Sequence, residues 1–234
     1  MINCPSASTP KSLRPDGDIV KSVTLAGAFV PADWVTGGKV LSMEQVLEFY
    51  NSKEFKAMAK LGVNTVQIPV PCNAFAGEGD VADTVTVLLE TLGKAGLSAI
   101  LVLVEMSDAD TLTAETINAH ITAAAKFASD SSDVIAIQLP SSLPSLLSAV
   151  RSASTTLPVL VPVEKAKLNS LSFPPDNNLF AAMDVAAVSS VADVASSTSF
   201  DDRLKMFYHE NLVCIDRSPI EYLDCYHGKC ITHV

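Results

Sequence analysis

Seven short apolar runs, alternating with stretches of helical periodicity, constrain this chain more than any other feature. The runs are Asp18–Val30, Thr65–Val70, Ser98–Val104, Asp133–Leu139, Leu157–Val163, Leu179–Val188 and Leu212–Asp216. Between them, amphipathic spacing predicts helices over Ser42–Leu61, 82–95, Thr113–Ser129, Leu143–Ser154 and Phe200–Glu210. A strand that is apolar throughout is covered on both faces, which means a parallel sheet with helices packed against it. Two α/β architectures satisfy that pattern: a (β/α)8 TIM-barrel-like fold with its eighth unit missing or altered, and an open doubly wound sheet. No glycine-rich phosphate loop follows the first run, which removes the usual reason to choose a dinucleotide fold. The barrel is favoured, and at 234 residues it is compact against the ~250 residues such barrels typically take.

Local signals agree with that layout. In Leu61–Pro71 a helix ends at Gly62, a strand starts at once, and Pro69 and Pro71 stop it where a loop must leave. Ser42 with Gln45 three residues later predicts a capping box, and Asn51-Ser52 predicts a break in the helix that follows. Residues 1–17 are polar and proline-rich, and are expected as a surface arm before a single domain spanning 18–234. Residues 166–178 are expected as a short helix and loop, and 217–234 as a loop with a short helix or strand.

Composition excludes some partners. The net charge of −10, with 16 scattered basic residues, argues against nucleic acid, which needs clustered Lys and Arg to displace counterions. No window reaches the ~20 uninterrupted apolar residues of a membrane span. The N-terminus shows no basic segment followed by an apolar one, so the expectation is either a cytosolic protein or a processed chain.

Several phrases, in order, resemble glycoside hydrolase family 5, and within it the exo-β-1,3-glucanases. Leu25-Ala-Gly-Ala-Phe-Val-Pro-Ala-Asp-Trp-Val-Thr36 resembles the family's L-G-G-W-L-V-x-E-P-W-x-T, and Leu61–Val70 resembles L-G-x-N-x-V-R-I-P-V. Asp133–Ser142 follows V-x-G-x-E-L-x-N-E, and Leu212–Cys225 is similar to V-x-G-E-W-S…D-C. The resemblance spans about residues 25 to 225. It implies a retaining β-glycosidase barrel, with an acid/base and a nucleophilic carboxylate about 5–5.5 Å apart at the ends of strands four and seven.

The matching positions depart from that chemistry. The Asn-Glu pair falls on Ser141-Ser142, and a serine hydroxyl cannot protonate a glycosidic oxygen as a tuned carboxyl does. The nucleophilic Glu falls on Asp216, whose carboxylate is withdrawn by about 1.5 Å, one carbon–carbon bond. Gln67 stands where the family has an arginine, so Asp216 would lose a bidentate cationic partner. Asp184 keeps the first residue of the family's D-x-H-x-Y, while Ala186 and Val188 replace its His and Tyr. Ala28 replaces a tryptophan, and Glu105 stands near the family's histidine.

Other motifs allow two readings each. Glu105 and Asp216 form a rebuilt catalytic couple in one reading and ordinary polar loop residues in the other. Trp34 and Asp184 are candidate sugar contacts, although packing against the barrel rim is the favoured reading of a lone tryptophan. The resemblance implies a Cys225–Cys230 disulfide; zinc held by Cys225, His227, Cys230 and His233 is the alternative, in a spacing that fits no common module. No cofactor is implied. The sequence therefore points to a non-catalytic glycosidase-like barrel serving as a structural or interaction subunit with a protein partner. A rebuilt β-glucan hydrolase and a non-hydrolytic glucan-binding protein are the rivals. The resemblance suggests the secretory pathway or extracellular space, without identifying the compartment.

Overall fold

The structure is a computed structural model. It describes residues 13–14, 16, 20–31, 40–77, 79–105, 112–140, 144–162, 178–184, 212–215, 223–226 and 229–232, with side chains from 181 onwards outside the description. Seven strands lie in one parallel sheet in chain order: β1 (Ser22–Thr24), β2 (Thr65–Pro71), β3 (Ser98–Val104), β4 (Val134–Gln138), β5 (Val159–Pro162), β6 (Leu179–Asp184) and β7 (Leu212–Ile215). An antiparallel hairpin, β8 (Leu223–Tyr226) and β9 (Lys229–Thr232), follows them. The described helices are α1 (Met43–Phe49), α2 (Ser52–Lys60), α3 (Asp80–Gly93), α4 (Ala114–Asp130) and α5 (Pro144–Ala153). Sequential parallel order with helical crossovers is the TIM-barrel pattern, and the hairpin stands where an eighth β/α unit would begin. The helix expected over 200–210 and the short helix over 166–178 lie outside the described residues.

The chain's punctuation explains where elements stop. Ser42 and Gln45 form the reciprocal capping box of α1. Asn51 then caps α2 by accepting from the amides of Lys53 and Glu54, which is why the apolar stripe over 42–61 is two helices. The joints from α2 to β2 and from α3 to β3 are built alike. Gly62 (φ 89°) and Gly96 (φ 78°) take the left-handed conformation that closes a Schellman turn. The amide of Val63 donates to Met58 O at 3.2 Å, and that of Leu97 to Leu92 O at 3.1 Å.

The first strand is shorter than the apolar run Asp18–Val30 suggests. After Thr24 the Leu25 amide still bonds to Gln67 O, then the chain turns at Gly27 (φ 78°). Leu25, Ala28 and Phe29 are buried by this turn instead of by a longer strand. The other strand boundaries differ from expectation by a residue or two, and the part of the sixth run beyond Asp184 lies outside the described residues.

Two apolar layers follow from strand alternation. Val66, Ile68 and Val70 of β2, with Ala99, Leu101 and Leu103 of β3, point outwards into a large cluster shared with the helices. The opposite parity points inwards. Ile100, Val102, Ala136, Leu160 and Phe180 form a smaller cluster inside the curved sheet, together with Ile135, Leu13 and Val20.

At the N-terminal end of the sheet stand Leu13, Arg14 and Asp16, the described residues of the stretch expected as an arm. Leu13 is buried in the inner cluster. Next to it, the Arg14 Nη1 group donates to Asn64 O (2.9 Å), Ser98 Oγ (3.3 Å) and Thr65 Oγ1 (3.4 Å), while Asp16 pairs with the same guanidinium. Arg14 therefore ties the starts of β2 and β3 together. No helix among the described residues is long and apolar enough to cross a membrane.

Candidate functional site

In a barrel, inward positions at the C-terminal ends of the strands form the functional face. Here those positions open towards the C-terminal ends of β2, β3 and β5. On β2, Thr65 and Gln67 are buried, whereas Pro69 and Pro71 are half-exposed. On β3 the sequence is Ile100 and Val102 buried, then Val104 half-exposed. Pro140, just past β4, and Pro162, at the end of β5, complete the same level. The result is a mouth lined largely by proline rings above a closed floor. None of the inward positions of β1 to β5 carries a charge.

Gln67 belongs to the closed part, 2% exposed. Its Nε2 donates to Ser22 Oγ at 2.8 Å, and Thr24 Oγ1 donates to its Oε1 at 3.3 Å. Both ends of the amide are thus engaged by β1, a strand of only three residues. Gln67 fastens that strand to β2.

Gln138 occupies the last position of β4, beside Val102 of β3 and Leu160 of β5 in register. It is 5% exposed, and its Oε1 is buried with no hydrogen-bond partner among the described residues. Leaving such an acceptor unpaired costs about 1–3 kcal/mol. This residue was not singled out from sequence. Its signal was available: it breaks an otherwise apolar run, Val134–Leu139, at a position of inward parity.

Glu105 is exposed, one residue past β3. Its charge is felt at Cys72, a buried free thiol in the outer, helix-facing cluster. Burial is the main cause that pushes the Cys72 thiol up to about 11, Glu105 adds to it, and the residue's backbone hydrogen bond opposes both. Asp184 ends β6, paired in register with Ile215 of β7; its side chain is outside the description. Cys225 and Cys230 face each other as backbone partners across the β8–β9 hairpin. Trp34, Ser141, Ser142, Asp216, His227 and His233 lie outside the described residues. Of the sequence candidates, the described site therefore contains Gln67 inside the barrel and Glu105 at its edge, and it adds Gln138.

No family model matches the chain, and no curated protein matches it. Solved structures do. A hyperthermophilic endo-β-1,4-glucanase in complex with substrate aligns with a TM-score of 0.52 at 14% identity, covering 71% of this chain and 59% of that one. The exo-β-1,4-mannosidase Op5Man5 from Opitutaceae bacterium strain TAV5 aligns at 0.54 and 16% identity, covering 77% and 41%. An endocellulase from Pyrococcus horikoshii, in complex with cellotetraose, aligns at 0.52 and 11% identity, covering 80% and 70%. The fold is like that of the family-5 glycoside hydrolases. This glycosidase-like barrel spans little more than half the length of the first of these enzymes and less than half of the second.

Proposed function

We propose that this chain is a non-catalytic relative of the family-5 glucanases, of exo-β-1,3-glucanase type, that serves as a structural or interaction subunit for a protein partner. The observation that carries the reading is the state of Gln67. Where the resemblance places an arginine supporting the nucleophile, this chain has a neutral amide whose two ends are engaged by Ser22 and Thr24. An amide carries neither the positive charge nor the bidentate fork with which an arginine would hold Asp216. The uncharged inward face of β1 to β5 supports the same reading, as do the serines at 141 and 142.

The rival reading is a retaining β-glucan hydrolase using Glu105 and Asp216, and the likeness of fold to enzymes solved with glucan substrates favours it. A non-hydrolytic glucan-binding barrel using Trp34 and Asp184 is the third. Incubation of the purified protein with laminari-oligosaccharides separates the first two: no released sugar is expected. Turnover that Asp216→Ala abolishes would overturn the proposal in favour of the hydrolase. Heat on calorimetric titration with a β-glucan, without turnover, would overturn it in favour of the binding protein.

The resemblance also brings a disulfide to the hairpin. Directly opposed residues in an antiparallel pair have Cα atoms roughly 4.5–5.5 Å apart, within the span a disulfide bridges. The register of Cys225 with Cys230 supports that bond.

A further inference from the structure

The neighbouring helices α2 and α3 touch one another on the outside of the sheet, and their solvent faces carry opposite charge. On α2, Phe55 is buried in the outer cluster, and Lys53, Lys56 and Lys60 are exposed on the far side. On α3, Val85, Leu88, Leu89 and Leu92 face inwards, so Asp80, Asp83 and Glu90 stand exposed on the outer face. Each stripe has a small apolar centre. Ala57 is exposed between Lys53 and Lys60, and Val87, 44% exposed, lies between Asp83 and Glu90. None of the six charged side chains enters an ion pair or a hydrogen bond among the described residues. Local helix chemistry does not account for the two stripes. Lys56 and Lys60, at i and i+4, repel one another. Lys53 stands in the first turn of α2, where the helix dipole disfavours a cation, and Glu90 near the C-terminal end of α3, where it disfavours an anion. A surface of opposite sign laid against each stripe relieves both conflicts.

We propose that this surface is a second copy of the same chain, with α2 of each copy laid on α3 of the other. The spacings match: Lys53 to Lys60 and Asp83 to Glu90 are both steps of seven residues, about 10.5 Å along a helix axis. The two helices also run in the same direction, since each returns to the start of a strand in one parallel sheet. A twofold axis parallel to them therefore makes both contacts at once, with the lysines of each copy facing the Asp83–Glu90 stretch of the other. Ala57 and Val87 supply the apolar centre within a charged rim. Two bodies of net charge −10 repel each other, but at about 0.15 M salt the Debye length is about 8 Å, so charges outside the contact are screened more than the pairs inside it. An anionic membrane or a nucleic acid would meet the whole acidic body and not one stripe, which favours the second copy over either. The proposal goes beyond the interaction-subunit reading and holds whether or not the barrel hydrolyses glucans, so turnover in the oligosaccharide assay would leave it standing.

Sedimentation equilibrium on the full chain tests it, and the wild type is expected to show a reversible monomer–dimer mixture. Two charge-reversed variants then locate the contact: Lys53→Glu with Lys60→Glu, and Asp83→Lys with Glu90→Lys. Each variant alone is expected to dimerise at least about tenfold more weakly, because like charges then face each other at both contacts. Mixed one to one, the two variants are expected to regain dimerisation as a heterodimer, since both contacts are again opposite in sign. The altered side chains are exposed and unpaired within the protein, so each variant is expected to melt close to the wild type, which shows that it folds. A wild type that stays monomeric throughout its soluble range would overturn the proposal. So would variants that dimerise as the wild type does, or folded variants whose mixture fails to associate.

Discussion

Burial holds back the ionisation of two described side chains, Cys72 and Tyr50. The Cys72 thiol moves from 9.0 to about 11, and the Tyr50 hydroxyl, donating to Ala26 O, moves from 10.0 to about 12. In the unfolded chain both ionise earlier than in the folded one, so above about pH 9 the unfolded state binds fewer protons. Stability is therefore intact below pH 9 and falls as the pH rises towards 11. Melting temperature followed across that window should decline in the wild type and decline less steeply in Cys72→Ala. Parallel curves would show that the thiol is not held neutral by the fold. At this scale the sequence was uneven as a guide. Gln67 stood out because of the phrase around it, whereas its engagement with Ser22 and Thr24 depends on a strand pairing 43 residues apart. Gln138 drew no notice, because a single amide in an apolar run looks incidental until the strand's parity turns it inwards.

The elements themselves were largely visible beforehand, since each joint carries local chemistry. Gly62 and Gly96 mark their Schellman turns, Ser42 and Gln45 their box, and Asn51 its cap; each acts within a few residues. What local chemistry could not show was the extent of β1, because Leu25, Ala28 and Phe29 are equally apolar in a strand or in a buried turn. Nor could it show the anchoring of Arg14, an isolated cation in a stretch without periodicity. Its partners belong to two different strand starts. Arg14→Ala should cost about 1–3 kcal/mol in a denaturant titration, because Asn64 O and Ser98 Oγ lose a charged donor. Arg14→Lys should restore only part of that, since an ammonium cannot span the same set from one planar fork. An unchanged midpoint in Arg14→Ala would mean that the base of the sheet is closed by other groups.

For the whole molecule, the alternation of apolar runs and helices was enough to indicate a parallel barrel, and the sheet order bears that out through all seven strands. Less accessible was the ending, because a hairpin of two four-residue strands has too few residues to show periodicity. If Cys225 and Cys230 are bonded across it, two of the five cysteines should escape alkylation in denatured, unreduced protein. Reduction should then lower stability by about 2 kcal/mol, the small effect expected of so short a loop. Alkylation of all five would remove the bond from the proposal. The mouth and the base also differ in character: one end offers proline rings and a lone amide, the other a guanidinium tied to strand starts.

That base imposes an order on events during synthesis. Arg14 leaves the ribosome ahead of one of its partners, Ser98, which is 84 residues further along the chain. At ~5–20 residues per second, roughly 4 to 17 seconds pass before that partner exists. Neither Leu13 nor Arg14 can settle until β2 and β3 lie side by side, so a segment made before those strands is fixed only after them. During that interval the underside of the nascent sheet is unsealed, and a pause in translation between residues 14 and 98 prolongs it.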